Sequence, residues 1–164
     1  MKWLLISLFV FTLLTTLAIG QTKYATYNNA RFAYSIDYTS ALLEMQPESA
    51  NGDGTTFVSK DNSVELRVWG QYNAAEKTWR QAYDLDLKGL GQKPAYAVFR
   101  SEWYVISGTK DGKIHYQKTL RRKLRDGEVF YTFTLEYPES ERTKFDAVVK
   151  RIARSFRFDP TADV

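Results

Sequence analysis

The sequence predicts an α+β fold, an antiparallel sheet of about six to seven strands with two main helices packed on it. Three observations predict it. Runs in which apolar and polar residues alternate with period two are followed by a stretch of helical period, then by more period-two runs, then by a second helical stretch. The connections Lys60-Asp61-Asn62-Ser63, Lys110-Asp111-Gly112 and Arg125-Asp126-Gly127 are of hairpin length, which makes the strands they join antiparallel neighbours. Strand and helix do not alternate one for one, as a parallel βαβ sheet requires.

Residues 1–20 have the layout of a secretory signal. Lys2 precedes an apolar run from Trp3 to Ile19, and the small residues Ala18 and Gly20 stand before Gln21, where a signal peptidase would cut. Left uncut, the run is just long enough to anchor the chain in a bilayer. The polar stretch from Gln21 to Asn29 favours cutting. There is no cysteine, which excludes a lipid-anchored lipoprotein and leaves stability to packing alone. Residues 21–164 are expected to form one domain, a size at which a single core suffices. The product is expected in the periplasm or outside the cell, or membrane-anchored if the segment stays.

Phe32, Tyr34, Ile36 and Tyr38 alternate with Ala33, Ser35 and Asp37, which marks a half-buried strand. After a turn-rich loop from Gln46 to Gly54 come two strands, Thr55 to Ser59 and Val64 to Gly70. In the second, Val64, Leu66 and Val68 share the face expected to be core, and Trp69 lies on the other. From Ala74 to Leu90 the period changes: Trp79, Ala82, Tyr83, Leu87 and Leu90 recur at helical spacing, with Gly89 or Gly91 as the stop. Tyr96 to Tyr137 reads as a meander turning at the two Asp-Gly pairs, where positive φ is tolerated. A last helix is expected from about Pro138 to Ser155. Phe145, Val148, Val149, Ile152 and Phe156 form its stripe, with acids near its start and Lys150, Arg151 and Arg154 near its end.

The whole chain carries a net charge of +4, too small an excess to imply nucleic acid. The strongest local bias lies between Lys113 and Arg125, where Lys113, Lys118, Arg121, Arg122, Lys123 and Arg125 occur without an acid. Alternation puts Arg121, Lys123 and Arg125 with His115 on one face, and Lys118 with Arg122 on the other. A partner with an acidic surface, or anionic lipid headgroups, fits such a hairpin; so does a solvated edge kept from aggregating by its charges. Trp69 and Trp103 join Lys118, Arg121, Arg122, Lys123 and Arg125 as the partner-binding set, because alternation leaves open which face of each tryptophan strand is buried.

Catalytic patterns are sparse. His115 is the only histidine, so a triad or an imidazole-ligated metal would have to use it. It reads as a solvated strand position. Asp84 with Asp86, and Glu139 with Glu141, fall at i and i+2 of the expected helices and so point to different faces, which argues against paired carboxylate chemistry. Asn51, Asp53 and Asp61 offer oxygens to Ca²⁺, but the distal bidentate glutamate of a calcium loop is missing, and Asn51-Gly52-Asp53-Gly54 reads first as a turn. No cofactor is expected.

Taken in order, Asn51-Gly52-Asp53-Gly54, Val68-Trp69-Gly70, Trp103-Tyr104-Val105-Ile106-Ser107-Gly108, Ile114-His115-Tyr116, Tyr137-Pro138 and Ile152-Ala153-Arg154-Ser155-Phe156 resemble a group of small exported bacterial proteins of unassigned function and, with them, the PsbP-like fold. The resemblance implies an antiparallel sheet flanked by helices. Its motifs are turns and core aromatics, and it brings no catalytic residue with it. It implies a non-catalytic binding or assembly module with a protein partner. A periplasmic immunity protein that neutralises a secreted toxin is the alternative, and a hydrolase using His115 the third reading.

Overall fold

The computed structural model describes residues 23–164; the signal segment expected at residues 1–20 lies outside the described residues. The sheet expected from the hairpin turns has seven strands: β3 (Glu44–Met45), β4 (Gly54–Val58), β5 (Glu65–Tyr72), β6 (Tyr96–Phe99), β7 (Trp103–Lys110), β8 (Lys113–Leu124) and β9 (Gly127–Pro138). Their spatial order is β3-β4-β5-β9-β8-β7-β6, every pairing antiparallel. A second sheet, β1-β2-β10, joins β1 (Tyr24–Asn29), β2 (Tyr34–Thr39) and β10 (Arg157–Phe158). The helices are α1 (Trp79–Gly89) and α2 (Arg142–Ser155).

Alternation along β9 organises the packing. Val129, Tyr131, Phe133, Leu135 and Tyr137 face the main core, which the large sheet shares with β1, β2 and α2. Tyr34 of β2 meets Tyr131 and Phe156 edge-on there, with centroids 5.9 and 6.1 Å apart. Phe130 points the other way, into a smaller core that Trp79, Ala82, Tyr83 and Leu90 of the α1 region build with Tyr104 and Ile106. The two-residue turn Asp111-Gly112 between β7 and β8 has positive φ at both positions, 52° and 73°, which matches the right-handed twist of a tight hairpin.

Both helices begin later than their periodicity suggests. The first starts at Trp79 rather than near Ala74, because Thr78 caps it: its side chain accepts from Gln81 N, and the Gln81 side chain accepts from Thr78 N, at 3.2 and 2.8 Å. Asn73 meanwhile bonds Lys77 through both its side-chain groups and holds the approach as a loop. Of the two glycines expected to stop the helix, Gly91 is the one with positive φ, at 74°. The second helix starts at Arg142, not near Pro138. Pro138 still belongs to β9, opposite Lys113, and Glu139–Glu141 form a 3-10 turn. The first strand, β1, falls in the polar stretch that the sequence pattern passes over.

Candidate functional site

Helix α2 is fixed on the sheet by its apolar stripe and by one ionic tie. Phe145, Val148 and Ile152 are buried, and Tyr137 stacks on Phe145 with centroids 4.7 Å apart. Asp37 of β2, itself buried, accepts from Arg151 at 2.7 Å and from Thr26 at 2.8 Å, while its backbone N–H donates to Ser155 Oγ. This pins the C-terminal half of α2 over β2 and leaves its other flank beside β6, β7 and β8.

Between that flank and the strands runs an open groove of 730 Å³. Its floor and walls are aromatic: Tyr96, half-exposed at 54%, Trp103, Tyr116 and Tyr137. Arg142, Lys150 and Arg154 of α2 stand on the rim with Asp146, one turn after Arg142, as the one acid, and Lys118 rises from the floor. Lys118 is opposite Val105 and Phe133 in the register, and its Nζ donates to Ala153 O at 2.6 Å. Burial pulls its pKa below the ordinary lysine value. Burial also pushes the Tyr116 hydroxyl up to about 12, so that hydroxyl is neutral across the physiological range. An apolar trough edged by cations binds groups that are apolar at the centre and anionic at the margin.

Of the residues singled out in the sequence, Trp103 and Lys118 come together in this groove. The others do not. Arg122 is on the same side of the sheet, but its Nη2 donates to Pro160 O and Ala162 O at 3.0 and 2.7 Å and ties down the last residues of the chain. Arg121 lies over the Trp79 ring at 5.1 Å and within 3.6 Å of Glu128, which makes it part of the α1 side. Lys123 and Arg125 are exposed at the far end of the hairpin. Trp69 sits on the opposite face, in register with Gly54 and Thr132. Nothing in the sequence pattern assigns Tyr96, Tyr116, Arg142, Lys150 or Arg154 to a binding site. The α2 contribution leaves one trace in it, since positions 142, 146, 149, 150, 153 and 154 recur at helical spacing along one flank.

His115 is not the solvated position that its strand pattern suggests. Its side chain is 23% exposed, and Nδ1 lies 3.0 Å from Glu136 Oε1, directly across the β8–β9 ladder. The pair borders a trench of 470 Å³ beside α1, floored by Gln117 and Asp86. Asp86 accepts from Tyr104 Oη and from Gln117 Nε2, so its carboxylate is spent on holding α1 to the sheet. Asp84 faces solvent and pairs with Arg80 at 2.9 Å, so the two carboxylates do point apart. Glu139 and Glu141 are likewise apart, in the 3-10 turn rather than on a helix, each paired to a cation of the first turn of α2.

The acidic residues of the turns serve the turns. Asp53 accepts from Ser49 Oγ at 2.5 Å and from Asn51 Nδ2 at 2.9 Å, around Gly52 at φ 68°. Asp61, in the next connection, accepts from Ser59 Oγ, Ser63 Oγ and Ser63 N, which lowers its carboxyl to about 2. Among the described residues no three His, Cys, Asp or Glu side chains converge in a metal-binding group, and no helix is long and apolar enough to cross a membrane.

No protein-family model matches the sequence, and no curated protein matches it. Solved structures do. The chain is similar to cyanobacterial PsbP (CyanoP) from Synechocystis, with 14% identity, a TM-score of 0.60, and 87% of this chain and 96% of that one covered. It is similar to the Ran-binding protein Mog1p of Saccharomyces cerevisiae at 9% identity and TM-score 0.52, covering 84% and 96%. It is also similar to LpqN, involved in cell envelope biogenesis of Mycobacterium tuberculosis, at 10% identity and TM-score 0.51, covering 84% and 91%. At such identities the likeness establishes the fold alone, and that fold is PsbP-like.

Proposed function

We propose that the chain is an exported, non-catalytic binding or assembly module, and that the groove between α2 and strands β6, β7 and β8 takes a protein partner with an acidic surface. The observation that carries this reading is the groove itself, lined by four aromatic rings, by Lys118 and by three cations of α2, with a single acid among them. Aromatic side chains supply most of the energy of protein interfaces, and rim charges orient the encounter. Mog1p, of similar fold, is a Ran-binding protein, which supports protein as the class of partner. A hydrolase would need a nucleophile beside His115, whose hydrogen-bond partner among the described residues is Glu136.

A photo-crosslinking side chain placed at Tyr96 in producing cells tests the groove. It should trap a protein, whereas the same group at Arg67, exposed on the opposite face of the sheet, should not. Adding K150E should cut the Tyr96 adduct by about tenfold, the scale of one well-placed interfacial charge pair. Equal trapping at both positions, or an adduct indifferent to K150E, would refute the reading.

Export rests on residues 1–20 and has its own test. N-terminal sequencing of the protein recovered from the cell envelope or medium should begin at Gln21 if the segment is cut, or at the original terminus in the membrane fraction if it is kept. Recovery of the uncut chain from the cytosol alone would defeat the export part and leave the groove untouched.

A further inference from the structure

Around the end of α2, a second concentration of charge continues from the rim of the aromatic groove, sharing Lys150 and Arg154 with it. Lys150, Arg151, Arg154 and Arg157 surround a hollow of 460 Å³ in which Asp37 is the single acid. Asp37 is committed to Arg151. Lys150, Arg154 and Arg157 are exposed and form no ion pair among the described residues. The C-terminal dipole of α2 accounts for one or two cations in its last turn. It does not account for Arg157, which lies beyond the helix in β10.

The position of this ridge supplies the second observation. The Tyr24 ring, at the start of β1, lies under the Arg151 guanidinium at 5.4 Å. The domain is therefore joined to residues 1–20 at the ridge. Three residues lie between Gly20 and Tyr24, so four Cα steps join them, a reach of about 14 Å at full extension. Whenever the apolar run from Trp3 to Ile19 is in a bilayer, Tyr24 is kept within about that distance of Gly20, and Arg151, over the Tyr24 ring, is kept close to it. The hollow is wide and open, and its charges are long flexible side chains rather than a buried, shaped pocket. That suits a diffuse anionic surface better than a single small anion.

We infer that the ridge formed by Lys150, Arg151, Arg154 and Arg157 is a docking surface for an anionic lipid bilayer, which orients the domain with the end of α2 towards the membrane. The apolar segment sets this orientation while it is attached, and the ridge charges maintain it if the segment is removed. The surface shares Lys150 and Arg154 with the rim of the aromatic trough and adds Arg151 and Arg157, which the trough does not use.

The chain has no cysteine, so one introduced cysteine gives a single labelling site for an environment-sensitive dye. In the chain that begins at Gln21, which has no apolar run to insert into either vesicle, a dye on A147C, in the hollow, should shift to the blue with phosphatidylcholine vesicles containing phosphatidylglycerol. It should stay unchanged with phosphatidylcholine alone. A dye on R67C, on the far face, should respond to neither. At about 0.5 M salt, where screening shortens to a few Å, the shift should disappear. The charge reversal R154E/R157E should raise the anionic lipid needed for a half-maximal shift by about 30-fold, from the stabilisation expected per basic residue near such a surface. Both positions are exposed, so the variant should keep its circular dichroism, and R157E alone, outside the groove, should give an intermediate effect. An equal response to neutral vesicles, an equal response at the Arg67 position, or a shift that survives R154E/R157E overturns the inference. So does silence at the Ala147 position with both vesicles, the outcome if the ridge serves an acidic protein instead.

Discussion

Replacing Phe133 with alanine is expected to lower the unfolding free energy by about 4 kcal/mol, within the range for truncating a fully buried aromatic. Phe133 has no exposed surface. It stands at the middle of β9, paired on one side with Val68 of β5 and on the other with Lys118 of β8. Its ring stacks on Tyr116 at 5.8 Å and meets Phe156 edge-on at 5.2 Å. The neighbours come from three elements, so they cannot close over the void together, and most of the lost volume stays as cavity. A domain of this size is stable by about 5–15 kcal/mol, so the loss is a large share of the whole. Urea unfolding at equilibrium measures it, and a cost below about 1.5 kcal/mol would mean that the core is far looser than its packing indicates. The same substitution removes the support beneath Tyr116, and the trapping yield at Tyr96 should fall with it.

Gly54→Val is expected to cost about 3 kcal/mol, at the upper end for overpacking. A Cβ at Gly54 would lie 1.9 Å from Val68 O and 2.8 Å from Trp69 Cα, backbone atoms of the neighbouring strand that cannot rotate away. The strands β4 and β5 would have to separate locally. Hydrogen exchange should show protection lost in β4 and β5 and retained in β8 and β9. Gly89→Ala, where nothing lies within 4 Å of the new carbon, is the matching control and should not destabilise. If the two substitutions behaved alike, the close approach of β4 to β5 would be wrong.

The sequence was most legible where one face of an element is buried. The alternation of Tyr34, Ile36 and Tyr38, the hairpin around Asp111-Gly112 and the stripe of Phe145, Val148 and Ile152 each carry a period that only one structure satisfies, whereas Phe32, at the start of the same alternation, falls in the turn before β2. It was least legible where tertiary contacts set the outcome. The β1 strand ends in two asparagines that read as turn residues. Yet Asn29 is buried, because its Nδ2 donates to Tyr27 Oη and Gly52 O and its Oδ1 accepts from Phe32 N, partners that are unknowable before the loop around Gly52 has folded against it. Helix starts were misjudged for a related reason. Periodicity tells which residues face the core, while Thr78 and the β9 residue Pro138 decide where the backbone becomes helical.

The candidate site divides in the same way. Trp103 and Lys118 could be picked out by residue type, but their meeting with Tyr96 and Arg142 depends on α2 crossing the β6 end of the sheet. Arg121 and Arg122 stand in the same basic run and were indistinguishable from Lys118 by charge. What separates them is that Arg121 is covered by Trp79 and Arg122 is engaged by the tail carbonyls. On α2, Lys150, Arg151 and Arg154 are equally well explained in the sequence as charges complementing the helix dipole, and Arg157 carries no sequence signal because β10 has only two residues.

Strand β9 divides its side chains between two interiors, and this leaves the chain little tolerance for slippage. Shifting its pairing by one residue would turn Val129, Tyr131, Phe133, Leu135 and Tyr137 out to the weaker side and press Thr132, Thr134 and Glu136 into the aromatic interior. Both hydrophobic centres would be lost in a single error, with the Glu136 carboxylate stranded away from His115. A misaligned hairpin therefore finds no metastable resting place, and it is discarded by the same residues that define the correct alignment.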